Sequence, residues 1–253
     1  MKPKLIAFIC SLFVLTSCAG FNPLVPKGSS SQTNSSTNTS ATSQTSQPIL
    51  WSKLGSDSEI SNSQIGSNLT RVGSVSYKSG TFGNGAEFTG TTSHLWLPST
   101  VAKPTNGAVE FWFTTYFDKT NIAQIKALID TDGSGGLAQN RLALCWDQTG
   151  VINFFAFNPG ALTVTSPSFS SNRSFHFALV WDAAGISGSS DTVRLYLDGS
   201  LLASGTTAIN QSPNYSQLYI GHHAASFGNA DGIMDNLKIW NYAKTNFSDR
   251  FAE

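Results

Sequence analysis

One acidic residue in the sequence occupies a position where it must find a partner. It belongs to the stretch GIMDNLKIW, residues 232–240, which alternates like a β-strand. With a period of two, Ile233, Leu237 and Ile239 share one face. Asp235 falls on that same aliphatic face. A carboxylate there is too costly to remain ionised alone, so it must gain either a partner or a proton.

Two kinds of partner could satisfy Asp235. A Ca²⁺ ion could bind the carboxylate together with backbone carbonyl oxygens from an early strand. Alternatively, the carboxylate could accept backbone N–H groups and fix a chain end to the sheet. A bulge in the strand could instead reverse its faces and expose Asp235, but the alternation on both sides of this residue favours a regular strand.

Catalytic groups are scarce in the sequence. Glycoside hydrolysis requires two acids at a defined separation, yet Glu110 is followed by Phe, Trp and Phe, and the next acid is Asp118. The four histidines are not accompanied by a serine or cysteine motif that would supply a nucleophile. His222 and His223 are a poor metal site, because adjacent strand residues point to opposite faces. The sequence therefore predicts a protein that is not an enzyme.

The N-terminus predicts export and a lipid anchor. A basic start, MKPK, precedes the apolar run LIAFICSLFVL, which is the pattern of a secretory signal peptide. The sequence Leu15–Cys18 resembles the bacterial lipobox, in which the cysteine carries anchoring acyl chains. The alternative is an ordinary signal peptide with an incidental cysteine, but Cys18 stands where the apolar run ends. Ala19 replaces an aspartate that often signals inner-membrane retention, which favours the outer membrane or the cell surface.

Composition divides the chain into three segments. Residues 1–17 form the signal peptide, and residues 18–48 are the lipidated cysteine and a Ser/Thr-rich linker that is too polar to fold. About 30 residues of flexible chain give a typical reach of about 30 Å from a membrane. Residues 49–253 form one β domain. Once Cys18 is lipidated, Cys145 is left without a disulfide partner in the mature chain, so we expect a buried thiol.

Charge and strand patterns narrow the class of protein further. Lys+Arg and Asp+Glu both number 15, so no basic surplus exists to bind nucleic acid. Asp198-Gly199 predicts a tight hairpin, and helical signal is limited to one or two turns after Tyr242. The clearest strand-like runs are Ala86–Phe88, His94–Leu97, Ala108–Phe117, Gln124–Ile129, Arg141–Trp146, Val151–Phe157, Phe175–Trp181, Thr192–Leu197, Leu201–Ser204, Gln217–Gly221 and Gly232–Trp240. This pattern predicts an all-β, two-sheet antiparallel jelly-roll sandwich.

Five motifs, in the expected order, resemble one known family. They are Gly80–Gly90, Ala108–Phe113, Phe175–Asp182, Val193–Gly199 and Leu218–Asn241. Together they resemble the laminin-G-like jelly roll of the concanavalin A-like lectin/glucanase superfamily, from about residue 50 to the C-terminus. The resemblance implies an extracellular binding or adhesion module.

The resemblance also implies a structural Ca²⁺ site. Relatives often bind Ca²⁺ at the position of Asp235, with further oxygens at the positions of Thr89 and Gly90, which would act here through backbone carbonyls. Many relatives carry an aspartate where this chain has Thr89, so the expected site is weakened. The paired-acid pattern Glu-x-Asp-x-x-Glu of the laminarinase-type enzymes is absent from this sequence.

Sugar-binding sheets present aromatic faces, and four aromatic residues are the candidates for ligand binding. They are Trp112, Tyr116, Trp146 and Trp181. The alternative is that most of these rings belong to the core of the sandwich. We expect a lipid-anchored surface protein whose non-catalytic domain binds glycan or extracellular protein. The alternatives are a glycoside-active enzyme on the same scaffold and a structural lipoprotein without a small ligand.

Overall fold

The computed structural model describes residues 47–90, 92–131, 140–158, 160–212, 215–222 and 228–252. They belong to one unit, Thr45–Glu253, which contains the predicted β domain. The predicted signal peptide, Cys18 and nearly all of the predicted linker lie outside the described residues. In the part of the chain that the structure describes, no helix is both long and apolar enough to cross a membrane.

Strands account for most of the regular structure in the described residues. The strands are β1 (Leu50–Ser52), β2 (Thr70–Val72), β3 (Ser76–Ser79), β4 (Asn84–Phe88), β5 (His94–Pro98), β6 (Asn106–Thr115), β7 (Lys126–Thr131), β8 (Arg141–Trp146), β9 (Val151–Asn158), β10 (Leu162–Thr165), β11 (Ser174–Asp182), β12 (Val193–Leu197), β13 (Ser200–Gly205), β14 (Gln217–Ile220) and β15 (Gly232–Trp240). A short helix, α1 (Asp57–Ser61), follows β1, and a 3₁₀ turn spans Ser99–Val101. Ser56 caps α1 by accepting the Glu59 N–H at 3.2 Å.

The strands form two antiparallel sheets. The first sheet has the order β13-β12-β11-β6-β15-β4-β3, and β1 pairs with β15. The second sheet has the order β10-β9-β8-β7-β14-β5-β2. Many neighbouring strands come from distant parts of the chain, as in a jelly roll, and the prediction of an all-β two-sheet sandwich is confirmed.

The inner faces of the two sheets share one hydrophobic core. Alternation along the strands supplies the inward residues, such as Phe111 and Phe113 on β6. Aromatic rings fill the centre, where the rings of Trp146 and Phe177 meet edge to face with centroids 5.2 Å apart. Removing this apolar surface from water contributes roughly 25 cal/mol per Å², which makes the core the main stabilising feature of the fold.

The sequence patterns predict most of these elements. The runs over residues 141–146 and 232–240 coincide with β8 and β15. Asp198 and Gly199 have φ values of +52° and +83°, which suit a tight turn, so the predicted hairpin between β12 and β13 is confirmed. The helical turns predicted after Tyr242 are wrong, because residues 248–251 form a turn and not a helix. The patterns do not predict β1, nor do they predict β2, β3 and β10, which are short edge strands of the two sheets.

Candidate functional site

The outer face of the second sheet carries a transverse line of side chains that we call the aromatic row. Antiparallel pairing aligns one residue from each of six neighbouring strands, and directly paired residues share a face. The aromatic row consists of Thr70, Trp96, Tyr219, Asp130, Ala143 and Phe155. These residues lie outside the core because they alternate with inward residues such as Leu95 and Leu218.

Three rings of the aromatic row reach the surface. Trp96, Tyr219 and Phe155 are each half-buried, whereas their neighbours along the strands are buried in the core. Strand pairing fixes the backbone beneath each ring, so the rings keep their spacing without a bound ligand. Partly exposed rings on a rigid sheet can pack against the apolar face of a ligand.

A buried ion pair belongs to the same face. Arg141 Nη1 lies 3.4 Å from Asp130 Oδ2, and the two side chains are 3% and 1% exposed. The guanidinium also lies over the Phe155 ring, 4.2 Å from its centroid. Because the opposite charges compensate each other, the row offers rings and hydrogen-bonding groups without a net charge.

Two histidines stand beside one end of this face. The His94 ring on β5 lies 5.3 Å from the Tyr219 ring and 5.5 Å from the His222 ring, measured between centroids. Burial and the nearby charge of His222 lower the pKa of His94, although its hydrogen bond to the Thr92 carbonyl opposes the shift. The lowered pKa favours the neutral form of the His94 ring.

The outer face of the first sheet is covered by the chain itself. The residues of the C-terminal segment, 241–252, contact this face through both apolar and charged side chains. Phe247 joins Trp240 in a small apolar cluster outside the main core. Lys244 Nζ donates to Glu110 Oε1 at 2.9 Å, and the Trp240 indole N–H donates to the same oxygen at 2.9 Å. This face is therefore occupied without any ligand.

Glu110 is the centre of a buried charge cluster on that face. Its Oε2 lies 3.2 Å from His176 Nε2, and Lys244 also contacts Asp249 at 3.0 Å. Burial alone would raise the pKa of Glu110, but the hydrogen bonds to His176 and Lys244 and the positive charge of Lys244 outweigh burial and lower it. The cluster fastens the C-terminal segment to the sheet, so Glu110 has a structural role and is not an accessible acid.

The structure corrects two of the four predicted ligand-binding aromatic residues. Trp146 and Trp181 are 1% and 0% exposed and lie in the core, so the prediction that they bind a ligand is wrong for both. Trp112 lies on the outer face of the first sheet but is 6% exposed, and its indole N–H donates to a carbonyl of the C-terminal segment at 3.1 Å. Tyr116 is half-buried, and its hydroxyl donates to Glu87 Oε1 at 2.7 Å.

Strand β15 is not the regular strand that its alternation predicts. Its pairing with β6 shifts between Asp235 and Lys238, and Asn236 has a φ of +55°, in the left-handed region that asparagine tolerates. Met234 and Leu237 consequently both belong to the core. The prediction that Asp235 lies on the aliphatic face is therefore wrong, because the bulge places it on the outer face of the sheet.

Asp235 is nevertheless buried, beneath the turn between β3 and β4. Its side chain accepts the Phe82 N–H at Oδ2, at 2.6 Å, and the residue is 1% exposed. The turn can approach because Gly80 has no side chain, and a Cβ there would lie 2.7 Å from Asp235 Oδ2. The carboxylate thus accepts a backbone N–H, as one of the two predicted alternatives requires, although it fixes a hairpin and not a chain end.

The predicted calcium ligands are not brought together. Asp235 lies beside Gly85, at the start of β4. Thr89 and Gly90 follow the other end of β4, about 13 Å further along an extended strand. Their carbonyls cannot share an ion with Asp235 in this arrangement, so the residues do not fit the predicted site. Within the described ranges, no group of three or more His, Cys, Asp or Glu side chains could hold a metal ion. Calcium binding by the protein stays a prediction.

A groove lined by both polar and aliphatic side chains lies at one end of the sandwich, next to the ends of β6 and β11. It has a volume of about 790 Å³ and is lined by Thr105, Asn106, Asp182, Ala183, Ala184, Thr207, Ala208, Ile209 and Gln211. Asp182 Oδ1 already accepts the Ala184 N–H at 2.9 Å. Because none of the described residues that line this groove is aromatic, the groove is a weaker candidate for sugar binding than the aromatic row.

Comparison with known proteins assigns the family. A laminin G family model of the concanavalin A-like lectin/glucanases superfamily matches residues 89–246. The chain belongs to this superfamily. No curated protein matches the sequence.

Solved structures share the fold of this laminin-G-like domain. Domain 4 of AbnA, an extracellular arabinanase from Geobacillus stearothermophilus solved with arabinotriose, is 15% identical with a TM-score of 0.60, over 78% of this chain and 94% of that domain. A Trypanosoma rangeli sialidase solved with difluorosialic acid is 13% identical with a TM-score of 0.60, over 81% of this chain but 33% of the sialidase. A botulinum neurotoxin serotype D binding domain is 16% identical with a TM-score of 0.56, over 78% of this chain and 48% of that one.

The aromatic row is the feature of the laminin-G-like domain that sequence patterns do not reveal. One signal was present, since Trp96 stands between Leu95 and Leu97 and must face away from them. Tyr219 alternates in the same way on β14. That the two rings lie side by side depends on the pairing of β5 with β14, which are more than a hundred residues apart.

Proposed function

We propose that this protein is a lipid-anchored surface protein whose laminin-G-like domain binds neutral glycans without catalysing a reaction. The observation that carries the proposal is the aromatic row, in which Trp96, Tyr219 and Phe155 are aligned and half-buried on one sheet face. Ring faces provide apolar contact area, and nearby hydroxyl and charged groups can orient a sugar.

The charge of the site favours neutral sugars over acidic ones. The Arg141 guanidinium lies over the Phe155 ring of this face, and it is paired with Asp130 and buried. Burial, together with the nearby His222, lowers the pKa of His94 and so favours its neutral form. At Arg141, an acidic sugar would therefore lose its hydration to meet a positive charge that Asp130 already compensates.

The structural neighbours support carbohydrate as the ligand class. The arabinanase domain was solved with arabinotriose, and the sialidase was solved with difluorosialic acid. The neurotoxin neighbour is a binding domain. Because these identities are low, the neighbours support a general binding role, and the chemistry of the aromatic row supports the choice of glycan over protein.

The arrangement of acids supports binding over hydrolysis. Glycoside hydrolases use two carboxyl groups on either side of the scissile bond. Asp130 is the carboxylate within the aromatic row, and its Oδ2 is paired with Arg141. Glu110, which sequence alone leaves open as an acid, is buried beneath the C-terminal segment on the other sheet.

Glycan-array screening followed by titration calorimetry tests the proposal. We expect binding to neutral oligosaccharides, such as arabino-oligosaccharides, and weaker binding to sialylated ones. Trp96→Ala and Tyr219→Ala should each weaken binding at least about tenfold, because losing an aromatic contact at the centre of a site commonly costs more than 1 kcal/mol. Tyr219→Phe keeps the ring and should retain most of the affinity.

Phe251→Ala is the matched control for these variants. Phe251 is 59% exposed and contacts Trp112 on the opposite sheet, so its removal deletes a surface ring outside the aromatic row. Its glycan affinity should equal that of the wild type. Binding that survives Trp96→Ala and Tyr219→Ala contradicts the location of the site. Hydrolysis of a polysaccharide by the wild type contradicts the non-catalytic role, and binding only to an extracellular protein contradicts the ligand class.

We also propose that Cys18 carries the lipid that anchors the protein at the outer membrane or cell surface. The support is the apolar run that ends at this residue, followed by the polar linker. In a bacterial host, Cys18→Ser should move the protein from the membrane fraction to the soluble fraction and remove the acyl mass. Cys145→Ser should leave the protein in the membrane fraction. A wild-type protein with an unmodified Cys18 contradicts the proposal.

A further inference from the structure

Two histidines from different strands face each other at the end of the second sheet. His94 lies on β5, and His222 follows β14. Their ring centroids are 5.5 Å apart, and the ring planes are inclined by 34°. β5 and β14 are paired, and His222 forms a further backbone bridge with Asn229, so the backbone holds both residues in place.

The tautomer of His94 is set by the backbone. His94 Nδ1 lies 3.0 Å from the Thr92 carbonyl oxygen. A carbonyl oxygen only accepts, so Nδ1 carries the proton and Nε2 carries the lone pair. Histidines that bind metals are usually fixed in this way, with one ring N–H donating to a carbonyl while the other nitrogen meets the ion.

The spacing of the two rings suits a shared ion. Two imidazoles bound to one tetrahedral ion, with metal–nitrogen distances of about 2.0–2.1 Å, have centroids about 5 Å apart. The observed 5.5 Å is close to that value. Imidazole suits zinc and copper, whereas Ca²⁺ takes oxygen ligands, so this pair is distinct from the calcium site that the family resemblance implies.

We propose that His94 and His222 form a two-histidine binding site for Zn²⁺. Within the described residues, no cluster of three His, Cys, Asp or Glu side chains could complete the site. A site built from these two histidines leaves the remaining positions of the ion to water or to further ligands.

Titration of the full-length protein with ZnCl₂ by calorimetry tests the site, and Co²⁺ absorption reports imidazole coordination. His94→Ala and His222→Ala should each lower the Zn²⁺ affinity at least tenfold. The double variant should lose little more Zn²⁺ affinity than the more affected of the two single variants, because removing either ring already destroys the shared site. If an alanine variant unfolds, His94→Gln and His222→Gln keep a polar side chain and carry the same comparison.

Gln217→Ala is the matched control, since Gln217 lies on β14 and is partly buried like His94. Its Zn²⁺ affinity should equal that of the wild type. His223 lies outside the described residues, and a site built from His222 and His223 would not need His94. Unchanged Zn²⁺ affinity in His94→Ala therefore overturns the proposal. A double variant whose fold-loss of Zn²⁺ affinity equals the product of the two single fold-losses also overturns it, because that result shows that the histidines act independently.

Discussion

Substitution of Asp235 tests what its buried carboxylate does. In the folded domain this carboxylate accepts the Phe82 N–H at 2.6 Å, and the residue is 1% exposed. A hydrogen bond to a charged group contributes about 1.5–3 kcal/mol to the free energy of unfolding. Asp235→Ala removes the acceptor from beneath the turn between β3 and β4, so we expect a loss of about 2 kcal/mol.

Thermal unfolding converts this loss into a measurable shift. For a domain of about 200 residues, 1 kcal/mol corresponds to roughly 2–4 °C, so Asp235→Ala should lower Tm by about 4–8 °C. Asp235→Asn keeps the shape and an acceptor oxygen but loses the charge. Because a neutral hydrogen bond contributes about 0.5–1.5 kcal/mol, its Tm should lie between those of the wild type and Asp235→Ala.

A chelator distinguishes the carboxylate–amide bond from a bound Ca²⁺ ion. We expect the wild-type Tm to be the same in EGTA and in added Ca²⁺, because Thr89 and Gly90 lie too far along β4 to share an ion with Asp235. A calcium site at Asp235 requires that EGTA lower the wild-type Tm and leave the Asp235→Ala Tm unchanged. That result would refute the reasoning, as would an Asp235→Ala variant that melts with the wild type.

Three further predictions concern buried groups. Lys244→Met removes one partner of Glu110 and should cost about 3–5 kcal/mol in chemical denaturation, whereas the exposed Lys103→Met should change stability by about 0.5 kcal/mol at most. Folding lowers the pKa of Glu110, so the ionised carboxylate stabilises the domain at pH values above the ordinary carboxyl pKa. This stabilisation is lost as the pH falls through the pKa that Glu110 has in the folded domain. Glu110→Gln should therefore lose less stability on acidification than the wild type. Burial raises the pKa of Cys145 to about 12, so the native thiol should resist a thiol reagent at pH 8 and react fully in denaturant; rapid native labelling would contradict this.

The fold class and family were accessible from sequence because they depend on repeated local patterns. Alternation in segments such as Val193–Leu197 and the turn residues Asp198-Gly199 is local, and the structure reproduces both. Short edge strands such as β2 lack this signal, since all three of its residues are exposed and none packs into the core. Pairing with β5 defines β2 as a strand, and that information is not local.

The bulge in β15 shows how a local pattern can mislead. Ile233 and Met234 are both apolar, so either could be read as the inward residue before Asp235. The structure selects Met234, and the change of register is absorbed by Asn236 at positive φ. The Asn236 bulge is held from the N-terminal strand, because Trp51 donates its indole N–H to Asn236 Oδ1 at 2.6 Å. The asparagine was a usable signal, but the long-range partner that stabilises the bulge was not visible in sequence.

The two outer faces of the sandwich differ in how much must change before a ligand binds. On the first sheet, the C-terminal segment already bonds to Trp112, Lys238 and Glu110, so a ligand must displace those contacts before making its own. On the second sheet, Trp96 and Tyr219 are partly exposed and held by paired strands. Because ordering of side chains and loops is a major cost of association, a face that is already ordered and exposed binds more tightly for the same contacts. This difference in preorganisation favours the aromatic row, and it predicts that variants on the first sheet alter stability while variants in the row alter binding.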